Sequence, residues 1–520
     1  MTAKTSTGAI PFEFGQSKKN SRTPSPRRPS GKSFNLLTIG NFTGNSILNE
    51  DGATNSDGRY KPLKIDRDNL EDVMAKLRPS LSIPITQEET PSQGNTVNIT
   101  FRNLDDFHPD RIFDEVELFA EFRTLRRKLK KDSTFDAAAE KMNLWLSSTA
   151  PPEKEQPSTP TPAHTPSEGL LDSILGGNDS TAPKSEADTL VNSLIQDAVA
   201  AYATPASNPN KQYYIDTLDQ TISRTMAAIL HHADFQSLES AWRGLDMLTR
   251  RVETDSKLTL RMLSIDKQTL LVDLATPQDA TQSSFAKLIN DATPLPNQED
   301  RWSAILGLYD FSNAKNDALM LGILAKVMAH ADTPFIAAGE ASLVNSRSFF
   351  YQPDPSDWQS EHPEGFKDTW HAIRKMPETQ YIALSSPRFL VRYPYGKKSQ
   401  RIESFNLEET DSSFKAEHFL WCNGAIAHGI GLCQSFSQQH WNMSLGDVNT
   451  LERLPLAFYD DDDEQCQIPT AEVFLSQSAF DTITDAGLAP LISVKGSDHL
   501  QLGPLISIYH QRQPLKGPWE

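Results

Sequence analysis

A chain of 520 residues is longer than one hydrophobic core usually organises, so two or more domains are expected. Its formal net charge of −18 argues against a nucleic-acid binder, which needs a basic face for the phosphates. Cys422, Cys433 and Cys466 are too few and too far apart for a disulfide framework or a CxxC metal knuckle, which points to a reducing compartment.

Residues 1–32 carry Lys18, Lys19, Arg22, Arg27, Arg28 and Lys32 among Ser, Pro and Gly, with no apolar run behind them. They read as a disordered basic tail, not a secretory signal. The composition changes at Phe34, where Phe34 to Gly40 is an apolar strand closed by a polar cluster. Leu70, Val73, Met74 and Leu77 fall at helical spacing before Pro79, Val97, Ile99 and Phe101 alternate as a half-buried strand, and the spacing predicts one helix over 113–129 with Arg123, Arg126, Lys128 and Lys130 outside. A linker follows over 147–168, rich in Pro and Thr and unable to bury enough apolar surface to offset its ordering entropy. Over 169–209 two short amphipathic turns are expected, the first built from Leu170, Leu171, Ile174 and Leu175.

Residues 210–512 read as a larger α/β unit, with 513–520 as a tail. Ile215, Leu218, Ile222, Met226 and Ile229 form a helical stripe, and a second helix carries Phe235, Leu238, Trp242 and Leu245 with Asp234 placed to cap it. Strands are expected at 258–262, 304–308 and 334–338, with a helix over 319–328. That helix contains Lys326 and is shorter than the roughly 20 apolar residues a bilayer requires, so neither membrane insertion nor a non-cytoplasmic location is expected.

Few side-chain patterns suggest chemistry. His231 and His232 are adjacent, and neighbouring helical side chains diverge by about 100°, so they cannot converge on one metal without further ligands. A structural role at a helix junction is expected instead. The acidic run 460–464 lacks the ligand spacing of an EF-hand and reads as a solvated surface loop. Gly424, Gly429 and Gly431 miss the GxGxxG spacing and suit close helix packing better. No Walker loop, GxSxG elbow or HExxH is present, so no catalytic residue and no cofactor are expected. Arg388 and Arg392, four apart along an expected strand, would share a face and clamp an anion or anchor a carboxylate.

Two segments resemble a known family. Tyr381 to Gly396, with Pro387, Arg388, Arg392 and Pro394, and Ile229 to Leu245, with Trp242, Arg243 and Gly244, resemble signatures of the large subunit of the type VI secretion contractile sheath. Residues 64–69 and 104–110 resemble the small subunit. The resemblance implies an α/β (α+β) protein in which a small-subunit-like domain over 33–146 and a large-subunit-like domain over 210–512, each with a mixed sheet flanked by helices, are joined by the linker. It implies a bacterial structural component acting mechanically around the inner tube of haemolysin-coregulated protein. Sheath small and large subunits and baseplate components are the implied partners. It also implies that residues 169–175 bind the AAA+ unfoldase that recycles contracted sheaths, or else dock on their own domain. The family's large subunit continues past the segment resembling 489–509, so an accessory that caps, seeds or adapts the sheath is the alternative expectation, and a cytosolic enzyme a distant third.

Overall fold

A computed structural model describes residues 32–44, 60–85, 95–148, 211–291, 295, 300–397, 399–410, 415–461 and 464–520. The expected basic tail up to residue 31, the linker from residue 149 and the amphipathic turns over 169–209 lie outside the described residues. Leu170, Leu171, Ile174 and Leu175 are therefore outside them too.

A nine-stranded sheet organises the chain, in the order Leu63–Ile65, Leu258–Ser264, Phe34–Gly40, Ala304–Phe311, Phe335–Gly339, Ile382–Ser386, Leu488–Ser493, Leu500–Leu502, Thr450–Leu451. The six strands from Leu258–Ser264 to Leu488–Ser493 run parallel, and the outer pairings are antiparallel. Strands buried on both faces are largely apolar, as Phe335–Gly339 is throughout and Phe34–Gly40 is apart from its buried Asn35 and Thr38. Alternate side chains feed separate cores: Phe34 and Leu36 join one cluster, Leu37 and Ile39 the other, on opposite faces of the sheet.

The mixed sheet flanked by helices is the α/β architecture expected, and the 33–146 and 210–512 segments both contribute strands to it. Phe34–Gly40 lies between two strands of the 211–512 region, paired with Leu258–Ser264 over its whole length and with Ala304–Phe311 from Leu36 to Ile39. Among the described residues of 33–146, the hairpin of Ser80–Ile85 with Asn95–Thr100 is the separate sheet.

Other expectations change locally. The helix expected over 113–129 is interrupted at Val116, whose extended backbone ends helix Pro109–Glu115 before a 3₁₀ turn leads into helix Ala120–Lys130. Helix Asp132–Ser148 reaches past the expected start of the linker. Asp460, Asp461 and Glu464 belong to a hairpin of Phe458–Asp461 with Glu464–Gln467, not to a loop, because backbone pairing there does not depend on like-charged side chains. The expected 513–520 tail is packed, with Leu515 fully buried and the Lys516 N–H donating to the Gln380 carbonyl at 2.9 Å.

Candidate functional site

The Ile229–Leu245 signature forms the corner between helices Lys211–Leu230 and Ala233–Arg251. His232 caps the second helix, its Nδ1 accepting from the Asp234 N–H at 3.3 Å, so Asp234 sits in the first turn and is not the cap. His231 turns away and stacks on His418 with ring centroids 4.6 Å apart. The two imidazoles thus serve different partners. Among the described residues no group of three His, Cys, Asp or Glu side chains is placed to hold a metal ion.

Trp242 is fully buried, edge-on to Phe42, and its Nε1 donates to the Phe42 carbonyl at 3.0 Å. The anchor of one signature therefore grips the end of the inserted strand. A Cβ on Gly244 would meet Cys422 Sγ at 3.0 Å and Ile426 Cγ1 at 3.1 Å, so the missing side chain lets this helix lie against the Trp421–Cys422 strand and helix Gly424–Gln439.

The two arginines of the other signature do not form one face. Only Phe389–Leu390 is strand, so the period-two relation fails and each guanidinium finds its own carboxylates. Arg388, its side chain 44% exposed, pairs with Glu472 through Nε at 3.1 Å and Nη2 at 2.5 Å. Pro387 and Pro394 are buried on either side. Arg392 is buried, donating from Nε to Glu239 at 2.9 Å and from Nη1 and Nη2 to the two Glu409 oxygens at 2.7 Å each. Arg243 closes the cluster through Nε to Glu239 at 2.7 Å. Two guanidinium groups against two carboxylates leave it neutral.

Burial works against each of these charges, and the partners decide the sign. Burial lowers Arg392, but Glu239 and Glu409 outweigh it and hold its pKa above the ordinary guanidinium range. Burial alone would raise Glu409; Arg392, helped by the Tyr395 N–H, holds it at about 2. The arrangement suits rigid bidentate anchoring, since Arg392, Glu239 and Glu409 are all buried.

Around this cluster the 95–148 region is stitched to the rest. Arg126 forms a bidentate pair with Asp219, Nε–Oδ1 2.6 Å and Nη2–Oδ2 2.9 Å, and is not the outward-facing cation expected. Asp110 accepts from the Glu403 and Ser404 N–H groups at 3.0 and 2.9 Å, and His108 sets its ring edge against Tyr395 at 5.1 Å. Phe113 packs on Phe405 at 5.0 Å. The sequence reading missed Glu239, Glu409 and Asp219. Glu239 was detectable, since it sits on the apolar stripe beside Leu238 and three residues before Trp242, where a lone charge requires a buried partner. Asp219 gives the same signal, beside Leu218 and three residues before Ile222, whereas Glu409 carries none.

A second feature is a cavity of about 190 Å³ at the carboxyl ends of the parallel strands, lined by Asp310, Glu340, Ser342, Arg347, Arg388 and Glu472. Burial raises the pKa of Asp310 and of Glu340 above the ordinary carboxylate range, with neighbouring carboxylates adding to it. Within its lining the Ser342 hydroxyl donates to Glu340 Oε2 at 3.4 Å, and Arg388 is held by Glu472.

Residues 32–143 match the family model described as "Type VI secretion system, VipA, VC_A0107 or Hcp2". Residues 212–506 match the model "EvpB/VC_A0108, tail sheath N-terminal domain". The chain is also similar to the type VI secretion system sheath protein TssC1 of Pseudomonas aeruginosa, at 29% identity over 320 residues. That alignment covers 60% of this chain and 64% of the relative's length. With the tail-sheath match spanning more than half of its residues, this chain belongs to the tail-sheath family of the type VI secretion system, and it carries a small-subunit segment in the same polypeptide.

Proposed function

We propose that this protein is a fused small and large sheath subunit that acts mechanically, without catalysis, in the cytoplasm around an inner tube. The observation that carries the reading is the Phe34–Gly40 strand, hydrogen-bonded on both sides by strands of the tail-sheath segment. A one-to-one pairing of the two segments is built into one sheet, and covalent linkage keeps them at an effective concentration of about millimolar. Sheath subunits, the haemolysin-coregulated tube and baseplate components are the partners this reading names, with the unfoldase engaging Leu170, Leu171, Ile174 and Leu175. Structural use of the signatures supports it, since Trp242, Arg243, Arg388 and Arg392 are all spent on internal contacts.

Co-expression of a labelled chain with a full-length sheath pair and the tube protein tests the reading by electron microscopy. Label along the whole cylinder is the expected result. Label confined to an end would favour the capping or seeding role, and absence from the assemblies would overturn both.

A further inference from the structure

Helix Ala120–Lys130 ends in a crowded basic turn, with Arg127, Lys128, Lys130 and Lys131 all exposed. Four nearby cations are used: Lys141 pairs with Glu121, Lys211 with Asp132 and Arg126 with Asp219, while Arg123 donates to the Phe113 and Val116 carbonyls. The four terminal cations have no ion-pair partner among the described residues. One or two cations at a helix C-terminus offset its dipole, but four within five residues repel one another beyond that need.

An opposite patch lies elsewhere. Asp354, Asp357, Glu361, Glu364 and Asp368 are exposed, and Lys367 is the single lysine or arginine between residues 351 and 368. None of the five is ion-paired among the described residues. Placement matters as much as charge. The basic helix buries Phe122, Leu125 and Leu129 in the core cluster that includes Phe34 and Leu36. The acidic stretch buries Trp358 and Phe366 in the cluster on the other face of the sheet, with Leu37 and Ile39. One molecule cannot bring its own two patches together across the sheet.

We propose that the basic turn of one copy docks on the acidic 354–368 stretch of a second copy. The contact uses two different patches, so it is heterologous and leaves one of each free on every dimer. Addition then continues in one direction, giving rings or helical stacks. The attraction is electrostatic and exposed, so it weakens as ions screen it beyond a Debye length. The inference rests on charge placement alone, and its failure would leave the sheath reading standing.

Sedimentation of the purified full chain below and above an ionic strength of about 0.15 M tests it. A turn variant (Lys128→Glu, Lys130→Glu, Lys131→Glu) and a stretch variant (Asp357→Lys, Glu361→Lys, Glu364→Lys) should each self-associate about tenfold more weakly than the parent. Mixing the two variants should restore association, and so should placing both sets in one chain, because each reversed patch then meets its complement. Circular dichroism confirms folding, with neutral Gln and Asn substitutions replacing any set that misfolds. A parent that stays monomeric at low salt, variants that associate as well as the parent, or a mixture that fails to recover would each overturn the proposal. So would duplex DNA binding that depends on the turn without any self-association.

Discussion

Replacing Arg392 by Met removes both guanidinium contacts to Glu409 and the one to Glu239, while keeping a side chain of comparable length. Glu409 is fully enclosed and takes its charge balance chiefly from Arg392; Glu239 keeps only Arg243. Removing one partner of a buried pair leaves an uncompensated charge, which costs about 3–5 kcal/mol. Urea denaturation followed by fluorescence should therefore show a lower midpoint with an unchanged slope. Adding Glu409→Leu should recover much of the loss, because the stranded carboxylate disappears with its partner. Arg392→Lys should fall between, since an ammonium supplies charge without the fork that meets both Glu409 oxygens. The pH dependence carries an independent check. Glu409 has a folded pKa of about 2 against an ordinary 4.5, so its contribution is fully present above pH 4.5 and is lost as pH falls toward 2. That acid-sensitive component should be missing from the double variant. A single variant within about 1 kcal/mol of the parent, or a double variant no better than the single, would refute the account of the cluster.

Trp242→Ala should cost about 3–5 kcal/mol in urea denaturation followed by circular dichroism, as it empties a fully buried site and strands the Phe42 carbonyl; an unchanged midpoint would show that this contact does not hold the inserted strand. Gly429→Leu should destabilise by about 1–3 kcal/mol, because a Cβ there collides with the Leu306 side chain beneath helix Gly424–Gln439. His428, buried in that helix, is depressed by burial from 6.5 to about 4. Stability should thus be complete above pH 6.5 and fall by about 3 kcal/mol toward pH 4, a loss that titration of His428→Phe should not show. Cutting an engineered protease site placed after Pro157 should leave two fragments that co-elute on size exclusion, and separate peaks in native buffer would contradict the shared sheet.

The sequence was most legible where burial is symmetrical. Phe34–Gly40, the 304–308 stretch and Phe335–Gly339 stand out as largely apolar runs, Leu258, Leu260 and Met262 as an alternating strand, and the stripe from Ile215 to Ile229 as a regular helical face. Lateral order was not legible, because an apolar strand carries no mark of which neighbours it will have. Ser80–Ile85 was hidden by Pro84, a residue tolerated there in a two-stranded hairpin whose outer edge needs no further partner. The break at Val116 was hidden because Phe113, Phe119 and Phe122 keep near-helical spacing across it. Arg388 and Arg392 were found by their motif, yet their destinations were not, since Glu472, Glu239 and Glu409 are distant in the chain and meet them only through the fold.

The inserted strand changes what the covalent link between the two segments accomplishes. Without Phe34–Gly40, strands Leu258–Ser264 and Ala304–Phe311 would each present an unpaired row of N–H and C=O groups at the centre of the sheet, the kind of edge that recruits other chains. Trp242 would lose Phe42, and Asp219 would lose the guanidinium that neutralises it. The 211–512 region alone therefore lacks the means to satisfy its own interior. Association of the two segments is then part of folding, not a later docking of finished domains, and the energy of the seam belongs to the stability of the whole. A force applied to the 33–148 segment must break a strand held on both sides, together with the Arg126–Asp219 pair and the Asp110 contacts to residues 403 and 404, before the segments part.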